Sequence, residues 1–236
     1  VHTPFQLICV TDRVRQIDPT IQQIRCDTWT ELQRAGMRAT TAKIGLFNPD
    51  YLPVQDFIYL DLTLVIRQDM SPLLAFTRSS HAPLVIIKDW HYDSYNSSVM
   101  RIRSTSLRFI YDAFIQGETY PQKTKGDQDF IHAVIANRGQ EAAVDCIPDG
   151  LVASFKRAVR TARSDPDRSR AMIDQAVIVK FHGAPRMHHV LNPIRRFLKY
   201  TVGNLWYGQL GLPFSVRALQ QAWESPCADT RITSPL

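Results

Sequence analysis

Cysteine is scarce in this chain and never closely spaced. Cys9, Cys26, Cys146 and Cys227 form no C-x-x-C pair, which argues against a zinc knuckle, and such scattered thiols suit a reducing compartment. Apolar residues flank Cys9, so it reads as a core thiol. No apolar run reaches the roughly 20 residues needed to cross a bilayer. No secretory signal pattern leads the sequence, and no internal repeat or low-complexity tract interrupts it. The expected localisation is cytoplasmic. The chain does not open with methionine, and only Val1–Pro4 precede the apolar run Phe5–Val10. An N-terminally truncated fold, missing an earlier element, is therefore expected.

What is present describes a globular protein. Its 236 residues suffice for one large domain or two small ones, and 44% of them are apolar. Lys and Arg number 28 against 22 Asp and Glu, a net charge of +6. That balance favours anionic partners such as phosphates, nucleotide sugars, nucleic acid or an acidic membrane face. The basic residues thicken at Arg157–Arg163, Arg168–Arg170 and Arg195–Lys199, and the plain reading of each is a solvated helix face. No nucleic-acid motif accompanies the charge, so no nucleic-acid partner is expected.

Strand-like and helix-like runs alternate, the pattern of an α/β protein. Strands are expected at Phe5–Val10, Phe57–Asp61, Leu84–Lys88, Ser97–Ile102 and Ala176–Phe181, with a shorter one at Val144–Ile147. Most are continuous apolar runs, as in strands buried on both faces. Helical periodicity covers Ser106–Gln116 and Gln128–Asn137; Asp127 is expected to cap the second helix and Gly139 to end it. Asp165-Pro166-Asp167 reads as a turn, and Pro213–Trp223 as another helix. From Asn192 onward, basic and apolar residues mix at helical spacing. The plain reading there is a helical cover on the sheet. The sharper one is a basic amphipathic surface in peripheral contact with anionic lipid, at the inner face of a membrane.

The run Phe57–Ile66 contains Asp61, an acid at the end of an apolar strand. A buried carboxylate is costly unless paired, and a metal ion or a metal-bound diphosphate is one such partner. Three later segments place polar groups at the edges of apolar runs, where an α/β site collects them: Asn96-Ser97-Ser98-Val99-Met100, Gly126-Asp127-Gln128-Asp129 and Lys180-Phe181-His182-Gly183-Ala184-Pro185-Arg186.

Taken in order with Ala42-Lys43-Ile44-Gly45-Leu46-Phe47 and Tyr59-Leu60-Asp61-Leu62-Thr63, these segments resemble nucleotide-sugar glycosyltransferases of the GT-A fold. The similarity is to the glycogenin-like and lipopolysaccharide galactosyltransferase-like enzymes and their uncharacterised bacterial relatives. The matching stretch runs from about Phe5 to His189. The resemblance implies a mixed central sheet flanked by helices, with a glycosyltransferase domain over residues 1–191 and a helical extension and tail over 192–236. It implies transfer of a hexosyl group from a nucleotide-diphosphate donor, a uridine diphosphate sugar, to a hydroxyl on a glycan, lipid-linked or protein acceptor.

The same resemblance implies the site. Asp61, Thr63 and His182 would hold manganese or magnesium. Asp127 and Gln128 would face the sugar and the acceptor hydroxyl. Lys43, Asn96, Ser97, Gly183 and Arg186 would contact the donor. The family's Asp-x-Asp pair ends here in Thr63, and a hydroxyl is a far weaker ligand for a hard cation than a carboxylate. A degenerate, non-catalytic sugar-nucleotide or carbohydrate binder on the same fold is therefore the alternative, and a basic nucleic-acid-binding protein, which the net charge allows, stands behind it.

Overall fold

The apolar runs form short strands, and the periodic segments form helices beside them. In chain order the strands are β1 (Ile8–Thr11), β2 (Gln22–Arg25), β3 (Asp56–Leu60), β4 (Leu64–Ile66), β5 (Leu84–Lys88), β6 (Tyr95–Arg103), β7 (Val144–Cys146), β8 (Val152–Ser154) and β9 (Ile178–Lys180). The helices are α1 (Ser71–Ser79), α2 (Ser104–Ile115), α3 (Asp127–Asn137), α4 (Phe155–Thr161), α5 (Pro166–Gln175) and α6 (Val216–Glu224). This computed structural model describes residues 5–33, 39–121, 126–182 and 212–224, with residues 187, 190, 192, 194 and 198. The result is a mixed α/β fold with helix-flanked sheets. It divides into two compact units interleaved in sequence, one holding His2–Tyr59 and Ser80–Cys146, the other Leu60–Ser79 and Ile147–Leu236.

The first unit is built on the sheet β3-β6-β5-β7. β5 is a Leu-Val-Ile-Ile run whose four apolar side chains are all buried, as a strand covered on both faces requires. It pairs antiparallel with β6 and parallel with β7. Helices α2 and α3 bury Leu107, Ile110, Phe114, Phe130, Ile131 and Val134 in the same core as Ile86 and Met100. Arg101 of β6, only 7% exposed, donates from Nε and Nη2 to the Asp56 carboxylate of β3 at 2.7 and 2.6 Å. Its Nη1 donates to the carbonyls of Ser80 and Ala82. A buried guanidinium thereby places four of its five N–H groups on a bidentate carboxylate and two backbone oxygens.

The second unit carries the sheet β4-β9-β8, with β9 antiparallel to β4 and parallel to β8. Its separate core gathers Val65, Phe155, Ile173, Val179 and Phe181 with Phe214, Val216 and Leu219 of the α6 segment. Phe155 and Phe181 stack with ring centres 4.5 Å apart.

Several local expectations change. The Phe5–Val10 run pairs only from Ile8, and Phe5 and Leu7 remain exposed, because β1 meets only the short strand β2. Asp165-Pro166 is a helix start rather than a free turn: the Asp165 carboxylate accepts from the Arg168 amide at 2.9 Å, and Pro166 takes the first position of α5. Asp127 lies inside α3, one residue past Gly126 at the cap position. Gly139 ends α3 as expected. It has φ +60°, and the amides of Gly139 and Gln140 return to the carbonyls of Ala136 and Ile135, which is a Schellman closure.

Gly45 lies in the 3-10 helix Ala39–Phe47. A Cβ there would stand 2.6 Å from Cε3 of Trp29 and 2.9 Å from Cδ1 of Leu32, and Trp29 is itself stacked on Tyr51 at 4.6 Å. Gly45→Ala must displace an indole held on its other face. We expect a loss of about 2 kcal/mol in urea unfolding and altered tryptophan emission from the folded state. Asp56 gives a pH prediction. Hydrogen bonds from Arg101 hold its carboxyl below the usual range, so its stabilising contribution is complete above the unfolded-state pKa of about 4 and is lost as pH falls further. The stability gap between wild type and Asp56→Asn should therefore be constant from neutrality to about pH 5 and shrink below it.

Candidate functional site

The sequence-derived site residues fall into two clusters, one in each unit. In the first unit the pairing of β5 with β6 shifts register. Ile86 faces Met100, while the next residue, Ile87, faces Asn96. Ser97, Ser98 and Val99 lie in the resulting bulge, and bulges re-aim side chains. Ser97 Oγ donates a short hydrogen bond to Asp127 Oδ2 at the first turn of α3. Lys43 Nζ lies 3.5 Å from the same carboxylate oxygen and donates to Ser97 Oγ at 3.5 Å. The ammonium also stands 5.5 Å from the centre of the Tyr59 ring, within cation–π range. Asp127 and Ser97 are 4% and 3% exposed. One ammonium, one carboxylate and one hydroxyl thus form a charge-balanced buried triad.

Asn96 and Gln128 flank this triad. Asn96 Oδ1 accepts from the Ser98 amide at 3.2 Å, and its Nδ2 donates to Asp89 Oδ2 at 3.5 Å. It lies within β6 rather than opening it, and its buried side chain fixes the bulge. Gln128 is half-buried on the first turn of α3.

In the second unit, strand register brings five polar residues to one end of the sheet. Lys180 of β9 stands opposite Leu64 of β4 and Ser154 of β8. The Phe181 amide donates to the Thr63 carbonyl at 2.9 Å. Lys180 is 5% exposed, and its Nζ donates to Asp61 Oδ2 at 2.9 Å and, by a short bond, to Thr63 Oγ1. His182 follows at the same end, with Nε2 2.7 Å from Ser154 Oγ. That hydroxyl also accepts the Arg157 amide and caps α4. Ser154 is fully buried, so it fixes both the helix start and the imidazole.

Asp61, Thr63 and His182 therefore gather at one end of the sheet, but an ammonium lies between the first two. Among the described residues no group of three His, Cys, Asp or Glu side chains could hold a metal ion. One carboxylate and one hydroxyl, each already accepting from Lys180, fit a hard divalent ion poorly. Gly183 and Arg186 lie outside the described residues. Lys180 and Ser154 were not singled out from the sequence. A lysine closing an apolar strand was the available signal for Lys180, since a buried ammonium demands an acid.

No family model matches the sequence, and no curated protein matches it. Solved structures give partial likenesses of backbone layout. The galactosyltransferase LgtC, in complex with donor and acceptor sugar analogues, is 16% identical, with 84% of this chain and 78% of that chain covered and a TM-score of 0.45. Mouse xyloside xylosyltransferase 1 is 13% identical over 70% of this chain and 75% of that chain, at a TM-score of 0.46. The glycosyltransferase GlyE of Streptococcus pneumoniae is 13% identical over 86% of this chain and 49% of that chain, at 0.46.

The first triad predicts a coupled loss of stability. Lys43→Met leaves the Asp127 carboxylate buried without its cation, and such changes cost about 3 kcal/mol or more. Adding Asp127→Asn removes the orphaned charge. The double variant should be clearly more stable than the sum of the two single losses allows, as read by urea denaturation of all four proteins.

Proposed function

We propose that this protein is a glycosyltransferase that moves a sugar from a nucleoside-diphosphate donor, a uridine diphosphate hexose, to a hydroxyl acceptor. One observation carries the reading. Lys43, Ser97 and Asp127 come from three separate sequence segments, each assigned to donor or sugar by resemblance, and their polar groups lie within 3.5 Å of one another. Burial of that triad gives its charges a low-dielectric setting in which they act strongly.

In this reading the Asp127 carboxylate faces the reacting sugar, where a fixed negative charge stabilises an oxocarbenium-like centre. Lys43 and Ser97 hold that carboxylate in its orientation. Gln128 and Asn96 contribute amides to sugar hydroxyls, and Arg186 pairs with phosphate through its planar fork. By the resemblance alone, Asp61, Thr63 and His182 are assigned to the diphosphate. Residues 1–191 form the transferase domain, and 192–236 a helical extension.

The Lys180 ammonium on Asp61 favours one second reading, a non-catalytic binder of sugar nucleotides. A single experiment separates the two. Uridine diphosphate glucose and galactose are offered to the full chain, with melting temperature and release of uridine diphosphate both recorded. A transferase shows a melting shift together with donor turnover, and Asp127→Asn lowers that turnover by about 100-fold or more while retaining the shift. A shift without turnover indicates the binder. Neither shift nor turnover with any nucleotide sugar contradicts both.

A further inference from the structure

A lysine in the middle of a sheet is an unusual choice unless its charge has work to do. β9 is the central strand of β4-β9-β8, and Ile178, Val179 and Lys180 are all buried. An apolar residue at position 180 would continue the run. The chain instead places an ammonium there, almost wholly removed from water, and surrounds it with the oxygens of Asp61 and Thr63. An isolated buried ammonium either finds an acid or loses its proton. The salt bridge to Asp61 supplies the acid, with the carboxylate side chain 23% exposed and the lysine side chain 6% exposed. The carboxylate thus faces the lysine from inside while keeping part of its surface open.

We propose that Lys180 is the resident cation of this strand end, a covalently tethered ammonium filling the position between Asp61 and Thr63 that a divalent ion would have to take. Charge and ligand chemistry both point that way. The ammonium of Lys180 offsets the Asp61 carboxylate, the group that would otherwise attract a dication. A metal entering between the two oxygens would displace the ammonium yet leave it tethered close by, where like charges repel. Hard divalent ions prefer carboxylate-rich oxygen cages, whereas a threonine hydroxyl and one carboxylate oxygen suit an N–H donor. The position of Thr63 becomes intelligible on the same terms. A second carboxylate would leave the single ammonium facing two negative charges; a hydroxyl accepts its hydrogen bond without adding charge.

For the donor, the consequence rests on the transferase reading above. At this strand end the Asp61 charge is offset by a tethered ammonium and needs no metal to neutralise it, so nucleotide binding does not depend on manganese.

The test is manganese titration by calorimetry and electron paramagnetic resonance on the full-length wild type, Lys180→Met, and the double variant Lys180→Met with Thr63→Asp. Uridine diphosphate titrations in EDTA and in manganese accompany it. We expect no saturable manganese site in the wild type and the gain of one site in the double variant, where two carboxylates face a position vacated by the ammonium. We also expect the same dissociation constant for uridine diphosphate with and without manganese in the wild type. A merely structural lysine would not produce a gained metal site. The wild-type titration stands even where a variant does not fold. One saturable manganese site in the wild type, unchanged by Lys180→Met, would overturn the assignment. Uridine diphosphate that binds only with manganese would overturn it too, while leaving the donor reading intact. Absence of nucleotide binding in both media, with the manganese results as expected, would sink the donor reading and leave the lysine assignment standing.

Discussion

A buried ammonium has to be paired, and the second unit of this protein is arranged around that constraint. Lys180 lies on the central strand of a three-stranded sheet, with Asp61 2.9 Å from its nitrogen. The pairing fixes where the chain turns between the apolar runs ending at Leu60 and starting at Leu64. It also sets the local electrostatics of a strand end whose carboxylate would otherwise call for an external cation. Removing one member of a buried pair costs more than the intact pair contributes relative to apolar residues. The arrangement is therefore better understood as specifying a site than as stabilising a fold.

The first unit repeats the same chemistry with different residues. Lys43, Asp127 and Ser97 make the counterpart of Lys180, Asp61 and Thr63: one ammonium, one carboxylate, one hydroxyl. The supports differ. The Ser97 hydroxyl is presented by a bulge in β6 and the Asp127 carboxylate by the first turn of α3, where the helix dipole favours negative charge. Lys43 comes from a 3-10 helix that a glycine allows to press against Trp29. Each triad sets one positive against one negative charge, so the excess positive charge of the chain is carried by other residues.

The strands β3, β5, β6 and β7 and the helices α2 and α3 were legible because their apolar residues recur without interruption or at helical spacing. Leu84–Lys88 was found with both ends in place. Boundaries failed where a single polar residue decided them: Asp165 reads as a turn former until its carboxylate is seen on the Arg168 amide. The division of the strands into separate sheets was not legible, since an apolar run does not state which neighbour it pairs with. Asp61, Ser97, Asp127 and Lys43 stand out as candidate site residues through the order of their motifs. Lys180 lies inside one of those motifs but nothing local marks it, because its partners are more than a hundred residues away and only the strand register of β4 with β9 brings them together.

The central claim is that a lysine nitrogen, rather than a metal, neutralises Asp61. Diffraction at the manganese absorption edge, from crystals grown with uridine diphosphate and excess manganese, tests it directly. The account predicts density for the Lys180 side chain continuing to hydrogen-bond distance of Asp61 and Thr63, with no anomalous peak between them. An anomalous peak coordinated by Asp61, with Lys180 turned away from it, would contradict the account.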